Sequence, residues 1–371
     1  MKGPTLFCFP FHAWSRLAGL VFLAMVVMGV SCQRSAPWQA ATMTLPAASP
    51  QPSLQPEATA VPTRPGLVNG EKQAALPMCG ETSFVPLGFS PDGASLYIQA
   101  NPGVLQIDLA SLAQAGFIQA EKPVKKAVLS PNGEILAMAL EDHTIHLYRL
   151  PDGSFFRSLP GHADAVDALV FSPKSTQLFS GSWDTWVIRW EMSGEQTGEF
   201  QPGGGEVYAL AVSPDGEQLA AITFEGPMRL WNAQTFEMEK ELGPASALPN
   251  ALAAYSPQGG ELLTWLGGGP VSLWKLPEGE LAWSGGNHSA AFSPLGDQFA
   301  HSDGDGAGQN LILVRSVESQ EHLHSLPVEG MQWKLIYSLD GKWLVSADDQ
   351  AIRVWDVETG RLLRTLWTTC E

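Results

Sequence analysis

The sequence predicts an all-β protein assembled from seven copies of one unit of four antiparallel strands. Three observations carry that expectation. A short phrase recurs seven times at an interval near 41 residues, and each interval holds four short runs separated by turn signals. The 37 glycines and 28 prolines among 371 residues make a turn-rich chain ill suited to long helices. Hydrophobic residues form 44% of the chain and charged residues 16%, so most of it can bury a core. Lys and Arg number 21 against 38 Asp and Glu, a formal net charge of −17. That balance argues against nucleic acid as a partner, because a phosphate backbone is gripped by clustered cations.

The first element is an address. Leu17 to Val30 is an unbroken apolar run of 14 residues that follows Lys2 and Arg16. It has the length of an export-signal core and falls short of the ~20 residues needed to span a bilayer. Gly29-Val30-Ser31-Cys32 resembles the lipobox of bacterial lipoproteins, where small residues precede a cysteine that is lipidated and becomes the mature N-terminus. Gly29 stands where that family usually carries Leu. The resemblance implies a signal over 1–31 and lipidation of Cys32; a plain cleaved signal or an uncleaved anchor is the alternative. Residues 32–78 turn to Pro, Ala, Ser, Thr and Gln without aliphatic periodicity. They are expected to form a disordered, polyproline-rich tether. The repeats then occupy 79–371.

The recurring phrase is an apolar residue, Ser, usually Pro, then one residue and usually Gly. Its serines are Ser90, Ser130, Ser172, Ser213, Ser256, Ser293 and Ser338. An apolar run rich in small residues precedes each one, as in VDALVF or VYALAV, which suits strands crowded round an axis. A second apolar run follows the turn. The third alternates and ends on a large residue, with Trp190, Trp231, Trp274 and Trp355 in one register. A ring of that size can bury roughly 150–250 Å² between neighbouring sheets. A more polar fourth run closes the unit.

These repeats resemble those of WD-repeat β-propellers over about Cys79 to Cys370, which implies a seven-bladed propeller of four-stranded antiparallel blades. At the end of the third strand only Trp355-Asp356 supplies the eponymous dipeptide, and Gly161-His162 is the one Gly-His pair. The family's turn acid, six residues before the third-strand anchor, is matched by Asn101, Asp142, Asp184, Glu225 and Asp349. Blades 5 and 6 match least well. Counting strands from Phe84 to Thr369 leaves no spare strand from the other terminus to close the ring. Cys79 and Cys370 map onto the same type of inter-blade connection, so a Cys79–Cys370 disulfide is expected, with two free thiols the alternative.

His162, Ser180, Asp184 and Trp190 superficially suggest a hydrolase triad, but in the resembled family this set is a structural tetrad. A nucleophilic serine would also need exposure beside oxyanion donors. The Asp303–Gly308 segment lacks the later ligands of a calcium loop and reads as a hairpin turn. His322 and His324, near His301, read as solvated surface. With no zinc-spaced cysteines, phosphate loop or dinucleotide fingerprint, no metal or cofactor is expected.

Partner binding is the stronger prospect. Glu141, Trp183, Phe224 and Asp348 stand at the tips of second-to-third-strand turns, with Trp186 close to Trp183 and Asp142, Glu225 and Asp349 around them. The resemblance implies that these tips share one face, which WD-repeat proteins commonly use for partners. The expected protein is a monomeric, non-enzymatic interaction scaffold, held by a lipid anchor on the outer side of the cytoplasmic membrane. The alternative is a small-ligand-binding or catalytic propeller using its central channel. That would need ionisable side chains converging at inner-strand ends, where the sequence offers mainly Ala, Val, Leu and Ser.

Overall fold

A computed structural model of the chain describes residues 72–76, 84–243, 251–304 and 310–368. Seven up-and-down antiparallel sheets follow one another along the chain, at 85–119, 124–159, 166–200, 207–242, 252–285, 287–328 and 334–367. The seven-bladed, four-stranded propeller is therefore observed, and no helix occurs among the described residues. Cys32, Cys79 and Cys370 lie outside the described residues.

The Ser-Pro turn repeats because its serine has a job. All seven serines are buried. In blade 1 the Ser90 hydroxyl accepts the Ser95 N–H at 2.9 Å, while the Gly93 N–H reaches the Ser90 carbonyl at 2.8 Å. The same hydroxyl-to-strand bond is made by Ser130, Ser172, Ser213, Ser256 and Ser338. The hydroxyl thus occupies a backbone donor at the start of the second strand. These turns also interlock around the ring. A Cβ on Gly133, at φ +70°, would stand 2.3 Å from Pro91 of the preceding blade. Glycine is required there both by conformation and by contact.

One blade cannot bury both of its faces, and the cores lie between blades. Seven hydrophobic clusters each straddle two neighbours. One joins Val345, Ile352 and Leu366 of blade 7 to Leu96, Ile98 and Leu105 of blade 1, so the ring is closed by the same packing as every other interface.

Closure also uses a strand that the sequence reading denied. Lys72–Ala75 pairs in parallel with the outer strand of blade 7, Leu362–Trp367, in the register Lys72↔Arg364 to Ala75↔Trp367. The Leu76 N–H continues it onto the Trp367 carbonyl at 2.8 Å, and Leu76 is buried in the closing cluster. The sheet therefore begins inside the stretch read as tether, and blade 7 has five strands. A second closing contact is the Arg364 Nε–H donated to the Leu109 carbonyl of blade 1 at 2.6 Å.

Candidate functional site

The tetrad forms as a continuous relay in blade 3. Trp190 Nε1–H donates to Ser180 Oγ at 2.8 Å, Ser180 Oγ lies 2.8 Å from His162 Nε2, and His162 Nδ1 lies 2.8 Å from Asp184 Oδ2. Asp184 also accepts the Ala163 and Trp186 N–H groups. Burial lowers the His162 pKa despite the carboxylate beside it, so the ring is neutral and Nε2 is free to accept the serine proton. Burial pushes Asp184 upward, but its two backbone N–H donors and His162 outweigh that and leave it below the usual carboxylate range. Ser180 is fully buried. A buried serine already held by an indole and an imidazole is a girder, not a nucleophile.

Other blades carry parts of the same device. Trp274 Nε1 donates to Thr264 and Trp355 Nε1 to Ser346, each at 2.9 Å. In blade 2 Lys122 replaces the loop histidine, meeting Asp142 at 2.7 Å; that ion pair, with the Thr144 hydroxyl, holds Asp142 down to about 2. In blade 6 Arg315 stands where the indole would be and donates Nε–H to the buried His301 at 3.1 Å. His301 is thus core, whereas of the two histidines read as solvated surface His322 is exposed and His324 half-buried. Among the described residues no group of His, Cys, Asp and Glu is placed to hold a metal ion.

Blade 7 corrects one proposed contact residue. Asp348 is only 3% exposed and cannot meet a partner. Its turn is one residue shorter than that of blade 3, since Leu344 pairs with Trp355 and Ala347 with Ile352. Asp348 therefore takes the capping role assigned to Asp349. It accepts the Gln350 and Ala351 N–H groups, Gln332 Nε2–H at 2.9 Å and Arg353 at 2.5 Å. Asp349 is exposed.

The remaining tip residues meet at the mouth of the central channel. Trp183 is 42% exposed and Phe224 38%. Their rings stand edge-on to Tyr208 between them, at centroid distances of 6.4 and 6.2 Å. Trp183 Nε1–H donates to Asp167 at 2.7 Å, and Glu141 lies 3.7 Å from Lys125. In three consecutive blades a turn tip thus touches a channel-lining residue. Trp186 and Asp142 are half-buried, and Glu141 and Glu225 are exposed.

The channel itself encloses about 230 Å³, and its lining contradicts the expectation of small apolar residues. The residue five before each repeat serine lines it in every blade: Val85, Lys125, Asp167, Tyr208, Ala251, His288 and Trp333. Lys126 and Lys334, one position later, join them. In blades 2, 3 and 4 the first-strand register slips at Lys125, Asp167 and Tyr208. Such bulges re-aim a side chain, which turns polar groups toward the axis. Burial by the surrounding funnel lowers the Lys126 pKa, against the pull of Asp167. It brings Lys334 down to about 8, with Lys126 adding like-charge repulsion. The first strands quoted above already contain Asp167 and Tyr208, and the fixed offset from each serine was the signal that would have found the set.

Seven radial sheets of four antiparallel strands, the last extended by a fifth strand in parallel, define a β-propeller around such a channel. The family described as WD40, "WD domain, G-beta repeat", matches residues 153–191 and 320–356, so two stretches of this β-propeller are similar to WD repeats. The two matched stretches hold the two blades in which a turn acid is bonded to a preceding-loop side chain and the indole to a serine. The chain is 31% identical over 116 residues to Periodic tryptophan protein 2 homolog of Neurospora crassa, covering 31% of this chain. It is 31% identical over 118 residues to Coronin-7 of Mus musculus, covering 29% of this chain. Against Kinesin-like protein KIF21A of Homo sapiens it is 24% identical over 221 residues, 56% of this chain. Each alignment spans only 13% of the relative's own length.

Proposed function

We propose that this propeller is a non-enzymatic interaction scaffold that captures protein partners with its channel-mouth face. The observation that carries the reading is the Trp183–Tyr208–Phe224 row, two exposed rings braced on a buried one. Exposed aromatics that are already immobilised lose little side-chain entropy on binding and make effective anchors. Glu141, Glu225 and Asp349 give this face an acidic rim, which favours a partner surface that is basic around an apolar patch. Propellers with WD repeats commonly serve this role, and the buried tetrad leaves no hydrolytic machinery in blade 3.

The same proposal extends to address. The apolar run Leu17–Val30 and the small residues before Cys32 support export and lipid anchoring at Cys32, outside the cytoplasmic membrane of a bacterium, with the propeller acting as a monomer. Labelled-palmitate incorporation that vanishes in Cys32→Ala is the expected result; equal label in both would contradict it. For the scaffold, replacing Trp183 and Phe224 together by Ser should reduce partner recovery in pull-downs from membranes at least tenfold with the melting temperature kept. Undiminished recovery would defeat the assignment of this face. The ionisable lining of the channel favours a second reading, that the mouth also takes a small ligand.

A further inference from the structure

We propose that the mouth of the central channel binds a small multivalent oxyanion, of phosphate or polycarboxylate type, between Lys126 of blade 2 and Lys334 of blade 7. The inference is independent of partner capture at the rim and of the membrane address. It begins from charge. Three lysines and one aspartate line this cavity, a positive pocket inside a protein of net charge −17. Two of those groups are engaged elsewhere: Lys125 faces Glu141, and Asp167 accepts the Trp183 indole. Lys126 and Lys334 have no hydrogen-bond or ion-pair partner among the described residues.

Lys126 is exposed at the mouth and Lys334 half-buried; two ammonium groups sharing one funnel repel each other, and an anion between them relieves that repulsion. Burial is the main cause of the lowered pKa of both lysines, and at Lys334 the charge of Lys126 adds repulsion. Size sets the class of ligand. A cavity of about 230 Å³ admits a phosphate or a small polycarboxylate and is below the usual range for larger organic ligands. One anion with several oxygens can bridge both lysines, whereas chloride can neutralise only one at close range.

The groups lining the cavity with them are Lys125, Asp167, Tyr208 and His288; Asp167, and at the rim Glu141 beside Lys125, oppose an anion. Anion binding must restore the proton that Lys334 partly loses near pH 8, so affinity falls as pH rises through that value. For an anion of constant charge the loss between pH 7 and 9 should be about tenfold.

Isothermal titration calorimetry on the full chain tests this, with inorganic phosphate and with citrate as probes at ionic strength held constant with chloride. The expected result is saturable binding of at least one probe, and which one binds identifies the chemistry. Lys126→Met and Lys334→Met should each raise Kd at least tenfold, and Lys342→Gln, a surface lysine beside Asp340, should leave it unchanged. Removing an unpaired ammonium should keep or raise the ligand-free melting temperature; Lys126→Gln and Lys334→Gln repeat the comparison if a Met variant does not fold. No saturable binding of either probe, or binding indifferent to both lysines, overturns the proposal.

Discussion

Trp231 occupies the register of Trp190, Trp274 and Trp355, yet its Nε1 is buried without an acceptor among the described residues. Ala221 is the reason. It stands two residues beyond Leu219, the cross-strand partner of Trp231, as Ser180 stands beyond Leu178, the partner of Trp190. Ala221→Ser should therefore stabilise blade 4 by about 1 kcal/mol in equilibrium denaturation, the net worth of one buried hydrogen bond; a destabilised variant would show that the site cannot hold the extra oxygen. Asp184→Ala tests the complete relay. It strands two backbone donors and an imidazole, and should lower stability by roughly 2–3 kcal/mol while changing no hydrolytic activity. Acid acts on the same kind of residue. His301 is held near 4, chiefly by burial, against an unfolded value of 6.5. The unfolded state then binds more protons between those values, so His301 contributes its stability above pH 6.5 and loses it as pH falls toward 4. The loss is up to about 3 kcal/mol. Denaturation midpoints measured at intervals across that range should decline, and a flat profile would contradict a neutral buried His301. Little of this was legible beforehand. The tetrad of blade 3 stood out because its four residues keep the family spacing, whereas in blade 6 the Arg315–His301 pair replaces both members and leaves no recognisable pattern.

Strands differ in how far they announce themselves. The Ser-Pro turns were readable because a hydroxyl is needed at one fixed point of every blade, and repetition exposes what a single copy would hide. Gly133→Ala should cost about 1–3 kcal/mol, since the methyl meets both a positive φ and Pro91. The closing strand was not readable. Lys72–Ala75 has four residues, no alternation, and a partner 292 positions away, and its neighbourhood is rich in proline. Its weight rests on Leu76, which is buried between the last blade and the first. Leu76→Ala should therefore lower stability by about 2–5 kcal/mol, as for other buried leucines. A midpoint unchanged in urea would return this segment to the role of plain tether. The channel residues escaped notice for another reason: a bulge turns a polar residue inward at the position where an unbroken apolar strand was assumed, and only register against the repeat serine reveals it.

At the scale of the whole molecule, a hydrophobic cluster lies between every pair of neighbouring blades, and closure ties the first blade to the last. A ring so built presents two unlike faces. The second-to-third-strand turns carry Trp183, Phe224 and the lysine-lined mouth. The opposite face carries the Ser-Pro turns, where Leu295 is 63% exposed and Leu339 59%. Both faces thus show apolar side chains, but only the first has them braced by a buried aromatic beside a charged cavity. Site-specific photo-cross-linking separates the two. A benzophenone amino acid placed at position 224 should trap a partner in intact cells, and the same group at position 295 should not. Trapping from 295 alone, or equally from both, would contradict the assignment of the binding face.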